Sequence, residues 1–273
     1  MKIADVHAHI FPDALAEKAT AAIGEFYRIS MHHPAALSTL LELETQAGIG
    51  CCVVSSSATS AAQVGHIHDF ISASCKAHTN LLGFGTLFPG MPDWQQELER
   101  LPQLGMRGIK VHSDFQKMPI DAPEAVDMYR AVAKMGLPVL FHMGDDRYDY
   151  SSPRRLYNLV RQVPDLTVIA AHFGGYRVWE EALALSMPEN VYYDTSSSLM
   201  FLSKERALEF LDKLGAERFL FGTDFPMWSP GEELERFLAL GLPEDLRDRI
   251  LYQNFETLFG VRVSEEVDYY GTI

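Results

Sequence analysis

The sequence has a rhythm that few folds can accommodate. Short apolar runs rich in β-branched residues alternate with longer amphipathic stretches. The runs are "KIADVHAH" (2–9), "CCVVSSS" (51–57), "LLGFGTL" (81–87), "RGIKVH" (107–112), "PVLFHMG" (138–144), "LTVIAAHFG" (166–174), "NVYYDTS" (190–196) and "RFLFGTD" (218–224). Such near-continuous apolarity marks parallel strands buried on both faces, because a half-solvated strand would alternate. The later runs recur about every 25–30 residues, the length of a βα unit. Eight such units within 273 residues predict a (β/α)8 barrel, with a doubly wound open sheet as the alternative.

The segments between the runs carry helix punctuation. Asp121 is the expected N-cap of "DAPEAVDMYRAVAKMG", with Pro123 in the first turn and Gly136 past the end. "SKERALEFLDKLG" starts at Ser203 and stops at Gly215, and "SPRRLYNLVRQVP" starts after Ser152 and ends before Pro164. The tail "LPEDLRDRILYQNFETLFG" reads as one or two closing helices. No linker rich in Pro, Gly or Ser divides the sequence; "VSSSATSAA" (54–62) is the most Ser-rich piece and follows a strand. Residues 1–273 are therefore expected to form a single barrel domain.

Charge and cysteine usage narrow the partners. A formal net charge of -14 argues against nucleic acid and anionic membrane, which need clustered Lys and Arg. The three cysteines, Cys51, Cys52 and Cys75, form neither a disulfide framework nor a CxxC, and read as reduced, packed thiols. No signal-peptide pattern opens the chain, and no stretch approaches the roughly 20 apolar residues of a membrane span. The expectation is a cytoplasmic protein with a small-molecule substrate.

A barrel carries its chemistry at the C-terminal ends of its strands. His7 and His9 end the first run, Lys110 and His112 the fourth, His142 the fifth, His172 the sixth and Asp224 the eighth. Residues two apart in a strand share a face, so His7 and His9 point to the same side. This chelating pair needs further ligands. His142 and Asp224 are distant in sequence, yet the eighth strand neighbours the first in a closed barrel. Three imidazoles and a carboxylate suit zinc or a similar divalent ion. Each signal alone has a plainer explanation: paired surface histidines are common, and Asp224 could cap a helix. His66, His68 and His78 lie in helix or loop segments and read as structural. The His32–His33 pair reads the same way, or as part of a pocket loop.

"DVHAH", "GIKVH", "FHMG", "AHFGG", "GTDFP" and "NFETLFG" resemble, in this order, the amidohydrolase superfamily. The closest branch is the amidohydrolase-related family that includes aminocarboxymuconate-semialdehyde decarboxylase. The resemblance spans essentially the whole chain. It implies that His7, His9, His142 and Asp224 are metal ligands. It also implies that His172 is an acid/base or electrostatic partner, and that Asp224 doubles as ligand and proton acceptor. One ion per chain is expected, zinc above others. Some members carry a carbamylated lysine bridging two metals, a role open to Lys110; its alternative is a pocket cation or a structural ion pair. Family members are often dimers, which leaves a homodimer open.

These readings give a leading function: a metal-dependent hydrolase acting on a small amide, ester or lactone through a metal-activated water. The alternative is nonoxidative decarboxylation of a small carboxylic acid, and the third reading is a metal-holding scaffold without turnover. Decarboxylation calls for a cationic carboxylate clamp, for which Arg147 in "GDDRYDYSSP" is the best candidate. His112 and Trp228 are expected at the substrate or beside the ligands. The loops "MGDDRYDYSS" and "FPMWSPG" are expected to shape the pocket.

Overall fold

A computed structural model describes residues 1–265. All eight runs form strands: β1 (Ala4–His9), β2 (Cys51–Ser55), β3 (Leu81–Thr86), β4 (Gly108–Val111), β5 (Val139–Phe141), β6 (Val168–Ala170), β7 (Val191–Asp194) and β8 (Phe219–Leu220). They lie in one sheet in sequence order, β1 to β8. The registered ladders, such as Lys110 opposite Leu140 and Phe141 opposite Ala170, are parallel. The segment that continues β8 runs beside β1: Val6 N–H donates to Phe221 O at 3.0 Å, His9 N–H donates to Phe225 O at 2.7 Å, and Ala8 bridges Phe225 in parallel. Eight parallel strands, helices between them, and the last beside the first make the fold a (β/α)8 barrel. The open sheet is excluded by that closure.

By packing, the described residues divide into two compact units: Met1–Ser55, Ala73–Leu82 and the described residues from Thr195 onward, and Ser56–Ser72 with Gly83–Asp194. In the first unit, every residue of β2 is buried, and β1 is buried up to His9. In the second, β4, β5 and β6 are buried throughout. This full burial is why the runs lack alternation.

The helix boundaries follow the punctuation with one exception. Ser203 caps Lys204–Leu214 by accepting from Arg206 N–H at 3.3 Å, and Gly215 follows. Ser152 precedes Pro153–Gln162, whose first residue is Pro. The helix Pro123–Lys134, however, is preceded by Ala122, with no side-chain cap. Asp121 instead accepts from Arg155 Nη1 at 2.8 Å and from Asn158 Nδ2 at 3.1 Å. Two donors from a neighbouring helix outweigh one backbone N–H, and Pro at the first helical position removes an orphan donor in any case. The tail forms Glu244–Asp248, a π turn over Arg249–Gln253, and Asn254–Phe259. No helix among the described residues is long and apolar enough to cross a membrane.

Candidate metal centre

In the first unit, β1 delivers two imidazoles to one point. His7 is fully buried and His9 half-buried. Their Nε2 atoms stand 3.2 Å apart. Asp224 Oδ1 is 3.4 Å from His7 Nε2 and 3.3 Å from His9 Nε2. Donors on a tetrahedral ion with bonds of about 2.0–2.1 Å lie about 3.3 Å from one another, so the three atoms fit one divalent cation.

The outward-facing nitrogen of His9 bears on the chemistry of its inner one. Ser55 donates its hydroxyl to Ala8 O at 3.4 Å and so accepts from His9 Nδ1 at 3.3 Å. His7 Nδ1 is 3.1 Å from Ser196 Oγ. With Nδ1 protonated, His9 turns the lone pair of Nε2 inward, which is the tautomer a ligand needs; His7 in the same tautomer donates Nδ1–H to Ser196 Oγ.

The chain is bent to bring Asp224 here. Asp224 takes a left-handed φ of 59°, and its N–H donates to His7 O at 2.7 Å. One residue earlier, Thr223 donates from its backbone N–H to Asp5 Oδ1 at 3.0 Å and from its hydroxyl to Asp5 Oδ2 at 2.5 Å. Asp5 also accepts from His7 N–H at 2.8 Å. Burial dominates these bonds and pushes the Asp5 carboxyl up to about 7. Asp5 thus ties the first strand to the turn carrying Asp224, a role its place just upstream of the HxH pair did not disclose.

The second unit builds its own histidine cluster. His142 follows β5, and its Nε2 donates to Gly144 O at 3.0 Å. That leaves Nδ1 as the lone-pair nitrogen, 3.0 Å from His172 Nε2. Gly144 is needed at this turn: its φ is 78°, and a Cβ would meet Tyr176 O at 2.5 Å. Asp114 Oδ2 stands 3.6 Å behind His142 Nε2 and accepts from the Ser151 hydroxyl at 2.8 Å. Burial lifts the Asp114 carboxyl to about 7. His172 and Phe173 take consecutive left-handed backbones, φ 62° and 54°. Asp194 Oδ1 holds the His172 N–H at 2.9 Å, and Trp179 Nε1 donates to the His172 carbonyl at 2.9 Å. Left-handed non-glycine residues in sequence persist only where their surroundings over-determine them.

The remaining expected residues fall as follows. His112 lies parallel to His142, centroids 4.0 Å apart, and parallel to Phe115 at 3.6 Å. Its ring caps a short helix by accepting from Phe115 N–H. His112, Asp114 and His142 are close enough to suggest a metal group. Parallel stacked rings, however, keep their in-plane lone pairs from converging, so the geometry is that of packed aromatics. Lys110 is wholly buried within β4. Arg147 is gripped by Asp145, which accepts from its Nε at 2.9 Å and its Nη2 at 2.6 Å. Trp228 Nε1 donates to Ser197 Oγ at 2.9 Å. His68 is buried between Glu97 and the Thr86 carbonyl, as a structural histidine should be. His32 and His33 border an open cavity of about 650 Å³ beside the helix Asp13–Tyr27.

A family model described as Amidohydrolase matches residues 4–261. The chain belongs to the amidohydrolase family. Membership makes it a metal-dependent enzyme, and the convergent donors of His7, His9 and Asp224 agree with that. No curated protein matches the sequence. Among solved structures, the amidohydrolase barrel superimposes on 2,6-dihydroxybenzoate decarboxylase complexed with 2,6-dihydroxybenzoate, at TM-score 0.75 and 18% identity, covering 96% of this chain and 100% of that one. It is also similar to a protein assigned as a 2-pyrone-4,6-dicarboxylic acid hydrolase from Pseudomonas putida, at TM-score 0.68 and 23% identity, covering 94% and 97%. A third is dihydroxybenzoic acid decarboxylase from Polaromonas with bound manganese and 2-nitroresorcinol, at TM-score 0.70 and 15% identity, covering 95% and 97%. At such identities these likenesses speak for the fold, and hydrolases and decarboxylases share it.

Proposed function

We propose that this amidohydrolase hydrolyses a small ester, lactone or amide, with His7, His9 and Asp224 holding a zinc ion. The observation that carries the reading is the 3.2–3.4 Å triangle of His7 Nε2, His9 Nε2 and Asp224 Oδ1. A divalent ion there supplies Lewis acidity and lowers the pKa of water toward roughly 7. His142 commits Nε2–H to Gly144 O and turns Nδ1 to His172 Nε2 at 3.0 Å, so the metal reading is carried by His7, His9 and Asp224. Asp224 takes the proton of the attacking water and passes it to the leaving oxygen or nitrogen as the carbonyl–heteroatom bond breaks. His172 donates to the oxyanion that develops at the carbonyl. A lactone is the favoured substrate class, because a 2-pyrone named for the Pseudomonas putida neighbour is a cyclic ester.

Decarboxylation is the second reading, supported by the two decarboxylase neighbours. It is weakened by Arg147, whose guanidinium already pairs with the buried Asp145. The two are separated by turnover in ¹⁸O-labelled water and in D₂O. Hydrolysis places one solvent oxygen in the acid product. Decarboxylation releases carbon dioxide and places a solvent hydron on carbon. Product labelled only at carbon from a hydroxyaromatic acid, with no turnover of lactones, esters or amides, overturns the hydrolase reading. Reconstitution with zinc and with manganese decides the ion.

A further inference from the structure

Ser197 lies in the serine run after β7, and no part of the mechanism above uses it. Its side chain is nonetheless fully buried and at the centre of a polar chain in the first unit. The Ser197 hydroxyl is 2.5 Å from Asp224 Oδ2, while Oδ1 stands 3.4 and 3.3 Å from the Nε2 atoms of His7 and His9. Trp228 Nε1 is 2.9 Å from the same hydroxyl oxygen. An indole N–H can only donate, so Ser197 Oγ accepts from Trp228 and must give its own proton elsewhere. Two acceptors are in reach, Asp224 Oδ2 at 2.5 Å and Met227 Sδ at 3.5 Å. The carboxylate is nearer, charged and a far better acceptor than a thioether, and the distance is that of a charge-assisted O–H···O⁻ bond. The direction is therefore fixed: Trp228 to Ser197 to Asp224.

The donors behind this chain are held in turn. Arg236 lies 5.4 Å from the centroid of the Trp228 ring and pairs with Glu233 Oε1 at 2.5 Å. Glu233 is itself buried, beside the Ser197 backbone N–H. Ser197 adopts a left-handed φ of 50° and Asp224 one of 59°. Two left-handed residues joined by a short hydrogen bond define one orientation of the carboxylate.

We infer that Ser197 is the positioning residue of the metal centre: its hydroxyl, locked by Trp228, holds Asp224 Oδ2 and so sets the carboxylate with Oδ1 toward the two imidazoles. This inference rests on the metal reading above. Without the Ser197 hydroxyl, Asp224 Oδ2 loses its short charge-assisted bond and the orientation of the carboxylate is less firmly fixed. The hydrogen bond also withdraws charge from Oδ2 and so keeps the two carboxylate oxygens inequivalent, one toward the ion and one toward the protein.

The test uses the full-length protein stripped of metal, titrated with Zn²⁺ by calorimetry and with Co²⁺ by visible absorption. Ser197→Ala, Ser197→Gly and Trp228→Phe are compared with wild type, together with Ser197→Ala/Trp228→Phe. Losing a partner behind a ligand costs roughly 10–100-fold in metal affinity, and that loss is expected for both Ser197 variants. Glycine relieves the backbone at φ 50°, so an equal loss in Ser197→Gly ties the effect to the hydroxyl rather than to the fold. Trp228→Phe is expected to lose less, and the double variant no more than Ser197→Ala alone, since both act through one bond. The Co²⁺ spectrum is expected to change in the Ser197 variants, as a less firmly fixed carboxylate alters the coordination sphere. Wild-type affinity and an unchanged Co²⁺ spectrum in Ser197→Gly, or additive losses in the double variant, overturn the inference while leaving the metal reading intact. Failure of wild type itself to bind either ion overturns both.

Discussion

Asp224 meets His7 twice: its backbone N–H donates to the His7 carbonyl at 2.7 Å, and its Oδ1 stands 3.4 Å from His7 Nε2. The first contact belongs to the parallel pairing that brings the last strand's turn against the first strand. The second is what that pairing delivers. Two residues more than two hundred positions apart are brought together by the order of strands, so the proposed ligand triangle follows from barrel closure.

Metal content follows directly. The purified chain is expected to hold about one divalent ion, lost on chelation together with activity and regained with zinc. His7→Ala and His9→Ala each remove one corner of the triangle and are expected to lose the ion while staying folded. Elemental analysis with circular dichroism reads both. Full occupancy in both variants refutes the triangle as a ligand set. His142→Ala is the companion: a fall in metal content makes its Nδ1 a ligand, and unchanged content removes it. A wild-type value near two would point to the binuclear form with carbamylated Lys110.

His172 is held by backbone contacts from Asp194 and Trp179, while its Nε2 is turned to His142 Nδ1. His172→Ala is expected to keep most of the metal and to lose roughly 10²–10⁴-fold in kcat, the range of a positioned acid/base group. Metal and activity lost in parallel would make His172 a ligand instead.

Much of this was legible in the sequence, for a reason particular to barrels. Full burial of the strands made each apolar run visible, and a period of two placed His7 and His9 on one face. Asp224 was legible because barrel closure puts its strand beside the first. Ser55, Ser196 and Ser197 were not. Serine is common in loops, and nothing in "VSSS" or "DTSSS" distinguishes a hydroxyl that fixes a tautomer from one that faces water. Asp114 and Asp145 were hidden for a similar reason, since an acidic residue in a loop reads as solvated until burial is known. The Asp121 cap failed because a competing partner, Arg155, comes from another helix, and sequence-local reasoning does not see it.

Glu233 gives a pH dependence. Burial pushes its carboxyl from 4.5 up to about 8, even against the opposing pull of Arg236. A raised carboxyl holds its proton in the folded chain when the unfolded chain has released it. The stability it contributes is complete below 4.5 and is lost as pH rises through about 8. Glu233→Gln cannot titrate. Its stability relative to wild type is expected to rise between pH 5 and pH 8, read as denaturant midpoints at several pH values. A pH-independent difference between the two proteins refutes the buried-proton account.

Asp224→Asn separates two accounts of the last strand's turn. Asparagine keeps the shape and one oxygen able to reach a cation, and it tolerates the left-handed φ of 59° as well as aspartate does. It lacks the negative charge and the basic oxygen that takes a proton from water. With Asp224 as ligand and proton acceptor, a modest loss of metal affinity is expected beside a fall of roughly 10²–10⁴-fold or more in kcat. The plainer account makes Asp224 a turn residue, whose N–H holds His7 O and whose carbonyl accepts from Met227 N–H at 2.9 Å. Asparagine preserves both of those backbone bonds, so on that account melting temperature, metal content and kcat all stay close to wild type. The structure favours the first account, because a turn needs no carboxylate aimed at two imidazole nitrogens 3.3 and 3.4 Å away. Turnover near wild type in a metal-replete Asp224→Asn variant would remove Asp224 from the catalytic residues and leave it a turn.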